Sequence, residues 1–264
     1  MNTLRKTLIN TMALAVLVTF TGPVIASPER GLEIAKERKA RDEGWKDSIA
    51  TMEMVLKNAQ GESSTRAMRL KSFEVDGDGD KGLTIFDQPR DVKGTAFLNH
   101  SHTLDADDQW LYLPALKRVK RISSRNKSGP FMGSEFAYED LSSFELEKYS
   151  FNYLRNEAIE GVESYVLEQV PTDKNSGYTK QLVWLDQQHY RPIKVEFYDR
   201  KGALLKTLQF EDYKQYLNQY WRAHTMAMVN HQTGKSTLLT TSQLDFQTGL
   251  SEKDFEKNIL KRVK

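Results

Sequence analysis

The sequence predicts a mainly β protein built on one meandering antiparallel sheet. Apolar and polar residues alternate in about ten segments after residue 50, which is the period of half-buried strands. Tight turns separate these segments, and a helical pattern occurs only near residues 29–43, 136–144 and 252–260. Because strands and helices do not alternate along the chain, the doubly wound and TIM-barrel enzyme folds are disfavoured.

The first 26 residues have the order of an export signal. The basic pair Arg5 and Lys6 precedes an apolar run at residues 12–18, a Gly-Pro break follows, and small residues occupy the cleavage positions. We expect cleavage after Ala26, with residues 1–26 as the signal peptide and residues 27–264 as one domain. An uncleaved membrane anchor is the alternative, and the shortness of the apolar run disfavours it.

No cysteine occurs among the 264 residues. An exported chain of this composition cannot form disulfides, so its stability must come from its core. It also has no cysteine at the cleavage site to acylate, which predicts a soluble product rather than an anchored lipoprotein. For a Gram-negative source, the expected compartment is the periplasm. The 38 basic and 36 acidic residues nearly balance, which disfavours a nucleic-acid binder.

A charged helix is predicted at the start of the mature domain. Ser27 supplies an N-cap, Pro28 occupies the first turn, and the helix is expected to run to about Glu43. After Gly44 the period changes to two, and residues 50–56 place four apolar side chains on one face of a strand.

Further strands are predicted from the same alternation. A turn at residues 60–62 leads to a second strand at about 66–75, and a hairpin turn is predicted at residues 198–202. The remaining strands are expected at 84–86, 109–113, 118–122, 165–170, 182–185, 193–197, 204–210, 221–229 and 238–246. A long antiparallel sheet curls, and its concave side must be covered, filled or occupied by a ligand.

Alternate acids at Asp76, Asp78 and Asp80 match the start of an EF-hand calcium loop. The match then fails, because Lys81 stands where the loop needs glycine and Asp87 where it needs a bidentate glutamate. A solvated hairpin turn rich in Asp and Gly is the favoured interpretation.

His100 and His102, with Asp105, Asp107 and Asp108 close behind, suggest a metal site and a metallohydrolase. The other histidines are distant in sequence and have no ligand-type spacing, and there is no phosphate-binding glycine loop or nucleophile elbow. Polar loop residues are therefore the favoured interpretation, and no metal site is expected.

Charge is strongly segregated between residues 109 and 147. Six basic residues occur in residues 109–134 without an acid, and five acids occur in residues 135–147 without a base. We name residues 117–127 the basic segment and residues 135–147 the acidic segment. Three interpretations are open: internal ion pairs between the two segments, docking of an acidic partner, or contact with lipid phosphates.

Methionine and aromatic residues are plentiful for a chain of modest apolar content. Met226 and Met228 share a strand face with His224. Flexible thioethers and large rings can line a pocket for acyl chains, or they can simply fill the core of a sheet. Both interpretations stay open for these two methionines.

Three stretches resemble the LolA-like outer-membrane lipoprotein-sorting family, in particular its treponemal-type domain branch. They are residues 84–98 (TIFDQPRDVKGTAFL), 108–122 (DQWLYLPALKRVKRI) and 133–141 (GSEFAYEDL). The likeness extends over nearly the whole mature chain, and residues 110–141 are its most distinctive part.

The resemblance implies a LolA/LolB-like fold: an unclosed β-barrel made of one curved antiparallel sheet, with short helices covering its open side. An apolar cavity between sheet and helices would receive acyl chains. The implied activity is binding and transport without chemistry, so neither an enzyme nor a cofactor is expected. The implied partners are lipoprotein or lipid cargo and an inner-membrane RND/MMPL-type exporter.

The resemblance also leads to expected site residues. We expect Trp110, Tyr112 and Leu113, together with Met226 and Met228, in the cavity wall or at its mouth. We expect Lys117, Arg118, Lys120 and Arg121 to dock a partner or make transient contact with a membrane. The leading hypothesis is a soluble periplasmic carrier that moves cargo toward the outer membrane. The alternative is a periplasmic lipid-sensing or adaptor protein that regulates a partner.

Overall fold

The computed structural model describes residues 26–263, which form one helix and one thirteen-stranded antiparallel sheet. The expected signal peptide lies outside these residues except for Ala26. The elements are α1 (Pro28–Ala40), β1 (Asp47–Lys57), β2 (Ser63–Phe73), β3 (Lys81–Gln88), β4 (Ala96–His100), β5 (Asp108–Leu113), β6 (Arg118–Ile122), β7 (Tyr149–Ile159), β8 (Val162–Pro171), β9 (Tyr178–Asp186), β10 (Pro192–Asp199), β11 (Leu204–Tyr216), β12 (Tyr220–Asn230) and β13 (Ser236–Phe246).

The sheet is a meander with one long connection. Consecutive strands pair except at β6 and β7, and β1 pairs with both β2 and β13, so the strand order is β6-β5-β4-β3-β2-β1-β13-β12-β11-β10-β9-β8-β7. The strands β6 and β7 are the two edges, and the sheet is not closed into a barrel. Residues 123–148 connect these edges and carry short 3-10 turns. The predicted unclosed antiparallel sheet is confirmed.

One face of the sheet, which we call the inner face, encloses the main core. Phe86 and Phe97 from one half of the sheet share a buried cluster with Leu185 from the other half. Phe131 of the connection belongs to the same cluster, with its ring centroid 5.8 Å from that of Phe86 and 5.2 Å from that of Phe97. Side chains from distant strands can meet in this way only because the sheet curls around them. The connection and α1 cover the open side.

Helix α1 begins as predicted. The Ser27 hydroxyl accepts a hydrogen bond from the Arg30 amide at 3.2 Å, and Pro28 occupies the first position. Gly31 allows the helix to lie directly on β7, because a Cβ there would come within 2.7 Å of the Tyr153 amide nitrogen. The helix ends at Ala40, three residues before the predicted end.

The opposite, outer face is covered over part of its area by the C-terminal segment. Leu83, Leu98 and Trp110 form a second cluster with Phe255 and Leu260. The last two residues belong to short 3-10 turns within residues 252–261. Alternation along β3, β4 and β5 sends successive side chains to the two clusters.

The observed elements differ from the sequence prediction in two respects. Strands β4 and β7 are additional to the predicted set. The helical patterns near residues 136–144 and 252–260 give only 3-10 turns, because extended backbone at Ser142 and Glu256 ends each turn after four residues. No helix within residues 26–263 combines the length and apolar character that a bilayer crossing needs.

Candidate functional site

A cavity of about 1550 Å³ lies at one end of the inner face. Its wall is formed by the end of α1 and residues 41–48, the adjoining ends of β2 and β3 with their loop, parts of β11 and β12, and residues 141–147 of the connection. Ordinary small-molecule pockets have volumes of roughly 300–1000 Å³. The inner cavity is therefore large enough for a bulky ligand.

Large apolar and aromatic side chains form much of the lining. They come from the loop before β1, from strands on both sides of the β1–β13 pair and from the connection: Trp45, Leu70, Phe73, Leu141, Phe144, Phe210, Tyr213, Trp221 and Met226. These surfaces lose contact with water when an apolar ligand enters, and that burial favours binding.

Ion pairs and hydrogen bonds compensate most charged side chains in the lining. Lys39 binds Glu145 at 3.0 Å, and Arg222 binds Asp42 at 2.5 Å. Glu145 is buried, and it also accepts a hydrogen bond from the Ser143 hydroxyl at 2.7 Å. These contacts fix the connection against α1 at the cavity wall.

Arg38 of the lining contacts an aromatic ring instead of a carboxylate. Its guanidinium carbon lies 4.0 Å from the centroid of the Phe144 ring, which is a cation–π geometry. Burial lowers the pKa of Arg38, although nearby Tyr213 and Asp42 oppose this shift. Among the residues that the structure describes, no carboxylate lies within ion-pair distance of this guanidinium.

Asp80 is an acid of the cavity lining whose pKa, like that of Arg38, is shifted by burial. Burial raises the pKa of its carboxyl group to about 7, and the charge of Lys39 only partly opposes this shift. The Asp80 amide donates a hydrogen bond to the Ser143 hydroxyl at 3.2 Å. This carboxyl group therefore changes its charge near neutral pH.

The Asp-Gly loop between β2 and β3 is exposed only at Asp76 and Gly77. Gly79 is buried against Ser101, where a Cβ would come within 2.6 Å of the Ser101 carbonyl carbon. Asp78 accepts hydrogen bonds from His102 and Thr103, each at 2.8 Å. Although burial opposes it, this bonding lowers the pKa of Asp78 to about 2. The loop is therefore solvated, as predicted, only at its tip, and its other residues are at least partly buried.

The two histidines of the metal hypothesis have different partners. The His100 ring contacts the Phe255 carbonyl oxygen at 2.7 Å, whereas the His102 ring binds Asp78 and lies 3.7 Å from Asp108. Within residues 26–263, no cluster of three or more His, Cys, Asp or Glu side chains has a geometry suited to a metal ion.

The structure separates the five residues expected at the cavity. Met226 lines the cavity, Met228 is fully buried in the inner core, and Leu113 packs against that core. Trp110 and Tyr112 lie in the outer cluster against the C-terminal segment, because they alternate with Leu111 and Leu113 along β5. Arg38, Phe144 and Asp80 line the cavity without having been expected from the sequence.

The four residues expected at a docking surface lie together at the edge strand β6. Lys117, Arg118 and Lys120 are exposed and have no carboxylate partner among the described residues, whereas Arg121 pairs with Asp108. A shallow depression joins Lys117 and Arg118 to the C-terminal segment, which adds Lys257, Lys261 and Arg262. The structure thus brings two basic stretches of the sequence into one surface.

The acidic segment does not pair with the basic segment. Asp140 binds Lys206 at 2.6 Å, and Glu145 binds Lys39. Glu139 accepts hydrogen bonds from Ser176 and from the Gly177 amide, each at 2.8 Å. Internal ion pairs between the two segments are therefore not the explanation for their charges.

Comparisons with known proteins agree with this architecture. A family model described only as "Uncharacterized protein" matches residues 78–262. A solved domain from Vibrio parahaemolyticus, described as an outer membrane lipoprotein-sorting protein domain, is 81% identical, with a TM-score of 0.88 over 89% of this chain and 100% of that chain. Among curated proteins, none matches this chain significantly.

Two further solved structures extend the comparison. A DUF1329 family protein from Desulfovibrio piger is 30% identical, with a TM-score of 0.83 over 91% of this chain and 100% of that chain. A LolA superfamily protein from Nitrosomonas europaea is 23% identical, with a TM-score of 0.68 over 86% of this chain and 98% of that chain. The likeness to the last protein extends to the fold alone.

Proposed function

The chain belongs to the LolA-like outer-membrane lipoprotein-sorting family, and from this premise we propose that it is a soluble periplasmic carrier for acylated cargo. It binds acyl chains of lipoproteins or lipids in the inner cavity and moves them toward the outer membrane. The observation that carries this proposal is the cavity of about 1550 Å³ with its aromatic and methionine lining. The function is binding and transport, without a chemical step.

The energetics of such a carrier follow from burial of apolar surface. Each acyl methylene removed from water contributes about 0.8 kcal/mol, so even part of a chain in the cavity makes an insoluble cargo soluble. Phe144, Phe210 and Trp221 offer broad apolar surfaces, and Met226 adds a flexible one that adapts to chains of different shape. The short 3-10 turns of the connection form the part of the wall with the least regular structure.

Delivery to a membrane is supported by the basic surface at β6. Within residues 26–263, Lys117, Arg118 and Lys120 have no carboxylate partner, so they can bind anions outside the molecule. Leu116 is 65% exposed directly beside Lys117 and offers an apolar contact with a bilayer. An RND/MMPL-type exporter as a further partner stays a prediction from the resemblance, as do Trp110, Tyr112 and Leu113 as residues of the cargo site.

The test introduces a charge into the cavity at Met226. We expect Met226→Glu to lower the affinity of the mature chain for a fluorescent palmitoyl probe at least tenfold, because a buried carboxylate opposes the apolar chain. The matched control is Val229→Glu on the same strand, whose side chain is 41% exposed on the other face. The control is expected to bind the probe as the unmodified protein does.

Fluorescence titration measures the affinities, and thermal melting confirms that both variants fold. Equal affinities of the two folded variants would contradict the assignment of the cavity as the cargo site. Transfer of the bound probe to acceptor vesicles separates the two hypotheses that the sequence left open. A carrier releases the probe to the vesicles, whereas a lipid-sensing adaptor retains it.

A further inference from the structure

The inner cavity contains a half-buried cation that no carboxylate of residues 26–263 neutralises. Lys39, Arg191 and Arg222 of the lining each bind a carboxylate: Glu145, Asp186 and Asp42 respectively. Lys81 binds Glu252, Arg41 binds Glu37, and Lys46 is exposed to solvent. Among the described residues of the lining, Arg38 is thus the half-buried cation without an anionic partner.

Aromatic rings fix the position of this guanidinium. Arg38 stacks over Phe144, whose ring is stacked on Tyr149 at 6.1 Å and meets Phe151 edge-on at 6.1 Å. A guanidinium that lies over a ring keeps its N–H donors in the plane free for a ligand. The aromatic contacts therefore orient Arg38 without using its hydrogen-bonding capacity.

The neighbouring acids are already committed to other partners. Asp42 is the carboxylate that acts on Arg38 through its charge, and it is hydrogen-bonded to Arg222. Glu145 follows Phe144 directly in sequence, and it is bonded to Lys39. Because desolvating an unpaired cation is costly, an anion that reaches Arg38 from the cavity gains from neutralising it.

We propose that Arg38 binds the anionic group of an amphiphilic cargo, a carboxylate or phosphate attached to an acyl chain, while the chain lies along the apolar lining. This inference rests on the proposed carrier function and specifies its cargo class. The acyl chain provides the affinity through burial, and the planar fork of Arg38 selects for the charged end. Neutral amphiphiles of the same chain length therefore bind more weakly.

The experiment compares palmitate with hexadecanol, both below their aggregation limits, by calorimetric titration into the mature chain. We expect the unmodified protein to bind palmitate at least tenfold more tightly than hexadecanol. Arg38→Gln is expected to remove this preference, because it lowers the affinity for palmitate at least tenfold and leaves the affinity for hexadecanol unchanged. Arg38→Lys keeps the positive charge but not the planar guanidinium. Its affinity for palmitate is expected to lie between those of the unmodified protein and Arg38→Gln.

The matched control is Arg30→Gln on the same helix, which removes an exposed arginine bound to Glu33 outside the cavity. It is expected to bind both ligands as the unmodified protein does, and thermal melting checks that each variant folds. An unchanged palmitate affinity in folded Arg38→Gln would overturn the inference, and so would equal binding of both ligands by the unmodified protein. Failure to bind either ligand would instead contradict the carrier function itself.

A competition arm distinguishes the lipid from a free anion. Inorganic phosphate or acetate at millimolar concentration is expected to leave palmitate binding unchanged, because neither carries an acyl chain to bury. If free phosphate displaced palmitate from the unmodified protein but not from Arg38→Gln, the site would bind a free anion. That result would overturn the assignment of an amphiphilic cargo.

Discussion

The acidic segment and the basic segment are neighbours in sequence and have opposite roles in the structure. In the acidic segment, Asp140 and Glu145 are bound to lysines from β11 and α1, and both carboxylates are almost completely buried. In the basic segment, Lys117, Arg118 and Lys120 are exposed without carboxylate partners among the described residues. The acidic segment fastens the connection to the rest of the molecule, whereas Lys117, Arg118 and Lys120 of the basic segment are available to external anions.

The difference teaches that a charge run has no single structural meaning. The basic segment lies on β6 and at the start of the long connection, whereas the acidic segment is the later part of that connection and crosses the inner face. Acids that cross the core must find partners there, because an unpaired buried charge is costly. Bases on an edge strand face water and need none, and they also protect the open edge from pairing with another chain.

Breaking the buried ion pair of the acidic segment gives the largest expected effect. The Lys206 and Asp140 side chains are only 4% and 5% exposed, and Lys206 also donates to the Glu135 carbonyl oxygen at 2.8 Å. Lys206→Met leaves the Asp140 carboxylate buried without its cation. We expect it to lower the free energy of unfolding by about 3–5 kcal/mol, measured by urea denaturation at pH 7.

Lys120→Met in the basic segment is the matched control, because it removes an exposed lysine that has no carboxylate partner in the part of the chain that the structure describes. We expect it to change the free energy of unfolding by less than about 0.5 kcal/mol. Adding Asp140→Asn to Lys206→Met should recover part of the lost stability by removing the unpaired charge. A loss below about 1 kcal/mol in Lys206→Met would mean that the acidic segment is not fastened in this way.

Reversing the charges of the basic segment should affect binding rather than folding. Lys117, Arg118, Lys120 and Arg121 changed together to Glu are expected to weaken binding to vesicles of anionic phospholipid about a thousandfold, since each of the four lost basic residues contributes about 1 kcal/mol near such a surface. Cosedimentation with the vesicles measures this change. The urea midpoint should stay nearly unchanged, apart from the loss of the Arg121–Asp108 pair.

The control for this experiment reverses four exposed lysines elsewhere, Lys36, Lys57, Lys201 and Lys235, and so makes the same change in net charge. If net charge alone governed membrane binding, the two sets would weaken it equally. Unequal weakening, with the larger loss in the basic segment, is the expected result. Unchanged vesicle binding in both sets would direct attention to an acidic protein partner instead.

The sequence predicts the sheet because strand alternation is a local pattern, readable from residue to residue. The same alternation shows that Trp110 and Leu111 face opposite sides, but not which side holds the cavity. That choice depends on the C-terminal segment, where Phe255 and Leu260, far along the chain from β5, cover the outer face. Arg38 escaped prediction because nothing in its helical sequence indicates that Phe144 lies beneath it.

The smallest expected effect concerns Asp80, which lies beside the acidic segment. Unlike Asp140, which binds Lys206, Asp80 has no ion-pair partner among the described residues. Burial raises its pKa from 3.8 to about 7, so the folded state holds this proton more strongly than the unfolded state. Asp80 therefore lowers stability progressively as pH rises from about 4 to 7, and its cost is constant above pH 7. Asp80→Asn removes that cost.

We expect Asp80→Asn to raise the free energy of unfolding at pH 8 by about 1–2 kcal/mol and to leave it nearly unchanged at pH 4. Urea denaturation at the two pH values measures the difference, and exposed Asp76→Asn in the same loop is the control. A gain of equal size at both pH values would mean that the substitution acts through shape rather than charge. A gain confined to high pH would show that the Asp80 carboxyl group in the cavity wall lowers stability when it is ionised. Asp140 and Glu145 of the acidic segment differ in this respect, because lysines neutralise their charges.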